Sequence, residues 1–124
     1  MDTHALLWLA MGDERLPERL RLRLEDRSVP IFASAVSAME ITTKHRIGKL
    51  PQAGPLARDF SGSIIQLGLA PLPITVAEAE LAGRMMGDHR DPFDRLLIAQ
   101  GLLNNLTLVS NENVFDVFGV ARLW

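Results

Sequence analysis

The chain has no cysteine among its 124 residues. Disulfides, thiolate nucleophiles and cysteine-ligated zinc sites are therefore excluded. Long apolar runs are missing too: a stretch such as Ala5–Met11 is far shorter than the roughly 20 residues a membrane-spanning helix needs. No basic leader of the secretory kind is visible, so a cytoplasmic protein with no membrane role is the expectation. Positive charge is also scarce, with 13 Lys+Arg against 15 Asp+Glu and a net charge of −2. Proteins that hold nucleic acid by charge alone are usually basic. Chemistry on nucleic acid would here call for a bound cation to offset the acidic groups.

What is present is an ordinary globular composition, 48% hydrophobic and 23% charged, in a length that suits one domain spanning residues 1–124. Helical and strand-like segments alternate, which points to an α/β domain. Helices are expected over Thr3–Met11, Pro17–Asp26, Ala35 to about Arg46, Leu56–Leu67, Thr75 to about Met86, and Asp91 to about Asn104. Short strands are expected at Val29–Ala33, Leu69–Ile74, Leu106–Val109 and Val120–Trp124, with a helical turn near Glu112–Val117. Ser34 and Thr75 are good N-caps, and Gly48 and Gly68 are natural stops. No repeat, linker or low-complexity tract interrupts the chain.

Acidic residues recur where a strand gives way to a helix or early in that helix: Asp2, Glu40, the pair Asp91/Asp94, and Glu112. In open α/β sheets the carboxyl ends of the strands form the crevice that binds ligands. Carboxylates gathered there repel one another, by roughly 4 kcal/mol for two about 4 Å apart at an effective dielectric near 20. They must take up protons or bind a cation. Oxygen donors favour a hard ion such as Mg²⁺ or Mn²⁺, which in a carboxylate cluster activates water against a phosphodiester.

Each residue also has a plain structural reading. Asp2 caps the first helix. Glu40 and Lys44 form an i,i+4 pair, ordinarily solvated and worth a few tenths of a kcal/mol. Pro92 belongs at the first helical position, which makes Asp91 the cap and leaves Asp94, beside an apolar helix edge, freer to face a crevice. Glu112 is a favourable charge in a first helical turn, with Ser110 as cap. His4, His45 and His89 lack metal-ligand spacing and are expected at the surface or in caps. Arg84, Arg90, Arg95, Lys44, Arg46 and Lys49 are candidates to meet phosphate, with a solvated face as the commoner fate.

The order of these stretches carries a resemblance. "DTHALLWL", "SAVSAMEITTKHRIGKL", "HRDPFDRLLIAQ" and "LTLVSNENVFDVFGVARLW" resemble the four motifs of the PIN-domain family, and within it the VapC-type toxins of toxin–antitoxin pairs. The match spans essentially the whole chain. The family's acidic positions fall on Asp2, Glu40 and Asp94, while Glu112 stands where many relatives have aspartate, beside Asn111. The resemblance implies a three-layer α/β/α fold around a central parallel sheet and a Mg²⁺- or Mn²⁺-dependent endoribonuclease. Asp2, Glu40 and Asp94 would be its metal ligands, and Glu112 would complete the catalytic set. Thr3, Ser37, Asp91 and Asn111 would be supporting residues behind them.

A homodimer and a cognate antitoxin are the implied partners beside the RNA substrate. Relatives carry an apolar strand ahead of the first aspartate, so the central sheet is expected to lack its first strand. Met1 is then expected to be internal to a longer natural chain, or another segment to fill the gap. The competing reading is a catalytically inactive PIN-like module that acts by binding protein or RNA. A phosphoacceptor receiver domain ranks last, because Leu106–Asn113 offers no lysine.

Overall fold

The computed structural model describes residues 1–124, and its elements follow from local sequence chemistry. Helix α1, Thr3–Met11, begins where Asp2 turns its Oδ1 back to accept the Ala5 amide at 2.7 Å. It ends at Gly12, whose φ of 64° is the left-handed conformation glycine adopts without steric cost. Helix α2, Glu18–Glu25, follows Pro17. Strand β1, Phe32–Ser34, runs directly into α3, Ala35–Arg46, with Ser34 capping the Val36 amide at 3.0 Å.

The helix expected over Leu56–Leu67 is divided in two, α4 at Gly54–Arg58 and α5 at Phe60–Gln66, after a 3-10 turn at Pro51–Ala53. Asp59 causes the break. Its carboxylate accepts the Gly62 amide at 2.9 Å and opens a new helix, a local bond that competes with continuing the old one. Strand β2, Ala70–Leu72, leads through the reciprocal Thr75/Glu78 cap into α6, Val76–Arg84. Helix α7, Pro92–Leu103, has Pro92 in its first turn and Asp91 as cap, accepting from the Phe93 and Asp94 amides. Strand β3, Leu108–Val109, a 3-10 turn at Asn113–Phe118 and strand β4, Arg122–Leu123, complete the chain.

The fold is α/β with parallel strands, as expected, and the strands form two ribbons, which agrees with the expectation that the central sheet lacks its first strand. β1 pairs with β2 in the register Phe32–Ala70, Ala33–Pro71 and Ser34–Leu72. β3 pairs with β4, Leu108 opposite Arg122 and Val109 opposite Leu123. Pro71 offers no amide hydrogen, which an edge strand such as β2 tolerates. A cavity of about 550 Å³ lies between the ribbons, lined by Phe32 and Ser34 on one side and Leu108 and Val109 on the other. Main-chain bonds cross between them at the first two residues: the Met1 nitrogen donates to the Phe32 carbonyl at 3.1 Å, and the Asp2 amide to the Val109 carbonyl at 2.9 Å. Asp2 is thereby fixed at the carboxyl end of both ribbons.

Two apolar clusters hold the elements around that point. Leu6, Leu16, Leu20, Ile41 and Ile64 join α1, α2, α3 and α5. Val36, Leu97, Ile98, Leu108, Phe115 and Val120 join α3 and α7 to the last third of the chain. Between the clusters, Gln100 takes the Ser34 hydroxyl proton at 2.6 Å and donates to the Pro73 carbonyl and to Glu78. No helix is long and apolar enough to cross a membrane.

Candidate active site

Asp2, Thr3, His4, Glu40, Lys44, His89, Asp91, Asp94 and Glu112 line one pocket of about 240 Å³ that contains no hydrophobic residue. The four acidic residues singled out in the sequence therefore meet, although they come from the start of α1, the middle of α3, the first turn of α7 and the loop after β3. Five carboxylates face a single permanent cation, Lys44.

Asp2 is both cap and site residue. One carboxylate oxygen holds the Ala5 amide, and the side chain is almost fully buried. Burial pushes its pKa up, against the pull of the Ser110 hydroxyl, the Ala5 amide and His4. Glu40 is 5% exposed, so its pair with Lys44 is not the solvated surface bridge that i,i+4 spacing ordinarily gives. Lys44 Nζ holds Oε1, while the Thr3 hydroxyl donates to Oε2. Ser37 lies one turn before Glu40 with its hydroxyl 3.0 Å from that of Thr3. A buried chain Ser37–Thr3–Glu40 thus fixes the glutamate from behind.

Asp94 is the most perturbed carboxyl in the pocket. Its pKa is pushed up to about 6, first by burial and then by the charges of Asp91 and Glu112, while a hydrogen bond from His89 opposes the rise. His89 Nε2 stands 2.7 Å from Asp94 Oδ2. Glu112, partly exposed, approaches His4 Nδ1 at 3.3 Å. Asn111, expected beside Glu112 as a supporting residue, is exposed and lies outside the pocket lining.

Several contributors escaped the sequence reading. His4 is exposed, as expected, but also lines the pocket; His89, expected at the surface or in a cap, is half-buried in its lining, and His45 keeps a purely local role next to the Leu50 carbonyl. Ser110, expected as a helix cap, does hold the Glu112 amide, but its hydroxyl also serves Asp2. Of the six cations considered for phosphate, Lys44 alone lines the pocket. Arg95 is spent on structure: its guanidinium donates to the carbonyls of Ala82, His89 and Met85 and so holds the loop that delivers His89. No spacing signal announces these roles, because each depends on a loop path.

A divalent cation suits this donor set chemically. All the carboxylate donors are hard oxygens; burial raises the pKa of Asp2 and, together with the charges of Asp91 and Glu112, that of Asp94, and a bound cation would favour the ionised form of both. No three of the acidic or histidine side chains stand at metal-binding distance from a common point. Each carboxylate leans instead on a neighbour from the chain: Glu40 on Lys44, Asp94 on His89 and Glu112 on His4. Closing the set around an ion takes separation of those pairs.

An α/β domain with a carboxylate-rich pocket at the ends of parallel strands is a setting suited to holding a divalent ion. The sequence matches the PIN-domain family over residues 1–120, and the chain belongs to that family. PIN domains are in general nucleases. No individual curated protein and no solved structure matches the chain.

Proposed function

We propose that this PIN domain is a Mg²⁺- or Mn²⁺-dependent endoribonuclease, the toxin of a type II toxin–antitoxin pair of the VapC kind. The observation that carries the reading is the meeting of Asp2, Glu40, Asp94 and Glu112 in one pocket free of apolar side chains. Asp2, Glu40 and Asp94 are the ligands. Thr3 and Ser37 hold Glu40 in place, Asp91 and Ser110 do the same for the helix start and for Asp2, and Glu112 lies on the open side, where it positions the attacking water. When bound by these residues, a divalent cation would supply the positive charge that acidifies a water and offsets the charge developing on the phosphate. Asp94, with a pKa of about 6, is largely ionised at neutral pH and ready to bind.

The proposal includes RNA as substrate, a cognate antitoxin as inhibitor, a homodimer and a cytoplasmic setting, on the strength of the four ordered motifs. One observation favours the second reading, a catalytically inactive binding module: Lys44, His89 and His4 already satisfy the carboxylates from within the chain. Incubation of structured RNA with the protein separates the two. The nuclease reading expects cleavage with Mg²⁺ or Mn²⁺, none with EDTA, and a loss of at least about 100-fold in Asp94→Asn. Cleavage unaffected by Asp94→Asn, or absent under every condition, removes it.

A further inference from the structure

Lys44 occupies a position that the nuclease reading leaves unexplained. It is the single permanent cation among nine pocket-lining residues, and it is bonded to a carboxylate proposed as a metal ligand. The two ends of that pair differ: the Glu40 side chain is 7% exposed, the Lys44 side chain 36%. The glutamate is pinned on its other oxygen by Thr3, so it cannot move far. The lysine sits at the rim on a flexible four-carbon stem and can move.

Oε1 of Glu40 therefore has two claimants. An oxygen held by the ammonium is screened from a divalent ion, and an oxygen given to the ion releases the ammonium into the pocket mouth. An RNA phosphate entering there meets the carboxylates of Asp91, Asp94 and Glu112, which repel it. Among the side chains that line the pocket, the freed ammonium is the one permanent positive charge that attracts it. Arg95, which sequence alone makes an equal candidate, is tied to three carbonyls. Arg84 is paired with Glu80 on α6, outside the pocket.

We propose that Lys44 is an exchangeable counter-ion: it neutralises Glu40 while no divalent ion is held, and moves to a non-bridging oxygen of the scissile phosphate once Glu40 is given to the ion. The inference rests on the nuclease reading and adds to it a substrate-contacting residue.

The test measures ion binding and cleavage separately. Mn²⁺ is titrated into the wild type, Lys44→Met and Lys44→Arg without RNA and followed by electron paramagnetic resonance. Single-turnover cleavage of structured RNA is then measured at saturating Mg²⁺. Lys49→Met serves as control, removing the same charge from an exposed residue outside the pocket.

Lys44→Met is expected to bind Mn²⁺ about 3–10 times more tightly, because a competing ion pair is gone, and yet to cleave about 100-fold more slowly. Lys44→Arg retains most of the cleavage, and Lys49→Met changes neither quantity. Unchanged or weaker Mn²⁺ binding in Lys44→Met overturns the exchange, and unchanged cleavage overturns the phosphate contact. Where the wild type cleaves and Lys44→Met matches it, this inference falls alone. Where the wild type does not cleave at all, the nuclease reading falls and takes this inference with it.

Discussion

His89 Nε2 lies 2.7 Å from Asp94 Oδ2, and this contact opposes the burial that holds the aspartate near pKa 6. The two residues lie five apart in the chain, on either side of the start of α7. Asp94 is set by the start of α7, and His89 by a loop that Arg95 fastens to α6 and α7. Ionisation of the acid is thus set first by burial and then by its chain neighbours His89 and Asp91 together with the distant Glu112.

Stability is expected to depend on pH through Asp94. The native carboxyl, with a pKa of about 6, binds its proton more tightly than the unfolded one, with its ordinary value of 3.8. Between those values the folded state holds more protons, so stability falls as pH rises from about 4 to about 6 and the deficit then persists at higher pH. Asp94→Asn removes this contribution. In metal-free buffer at pH 7.5 its Tm is expected to rise by about 4–10 °C, with little gain at pH 4. Thermal melts at the two pH values check this, and an equal shift at both contradicts it.

Divalent ions are expected to reverse the penalty. An ion that binds only the folded state stabilises it by RT ln(1 + [L]/Kd), about 2.7 kcal/mol at 100 times Kd. Mn²⁺ is expected to raise the Tm of the wild type at pH 7.5. At pH 5, where Asp94 is mostly protonated, it does so far less, and in Asp94→Asn it has little effect at either pH. The same melts with and without Mn²⁺ give the answer.

Arg95→Met removes three donors from the carbonyls of Ala82, Met85 and His89 without touching the pocket lining. A loss of about 2–4 kcal/mol in urea denaturation is expected, since hydrogen bonds from a charged donor are worth more than neutral ones. Mn²⁺ affinity is expected to fall several-fold as the His89 loop loosens. Unchanged values would mean that the loop is held by packing alone.

Gln100→Leu fits the volume of a core position but deprives the Ser34 hydroxyl proton of its acceptor and the Pro73 carbonyl of its side-chain donor, and removes one of several donors to Glu78. Buried polar groups stripped of partners cost about 1–3 kcal/mol each. A loss of about 2–4 kcal/mol is expected in urea denaturation, large for a conservative change; a loss below about 0.5 kcal/mol would contradict the network's importance.

Much of the fold was legible because caps and breakers are local. Ser34, Thr75 and the Asp91-Pro92 step each mark a helix start where the structure has one. Asp59 was not read as a break, since its carboxylate competes with the helix only through a bond the sequence does not display. The four acidic positions were legible through their common place at strand-to-helix junctions. Lys44, His4, His89 and Ser110 were not, because each reaches its partner across a distance set by loops or, for Lys44, turned an apparently solvated pair into a buried one. The lack of a first central strand was legible too, since only Met1 precedes Asp2, and a cavity of about 550 Å³ lies between the two ribbons.

Titration calorimetry with Mn²⁺ at pH 7.5, on the wild type beside Asp2→Asn, Glu40→Gln and Asp94→Asn, asks directly whether the three carboxylates share one ion. Saturable binding in the wild type, weakened at least about 10-fold by each substitution, is the expected result. Binding that is absent from the wild type, or indifferent to all three substitutions, contradicts it.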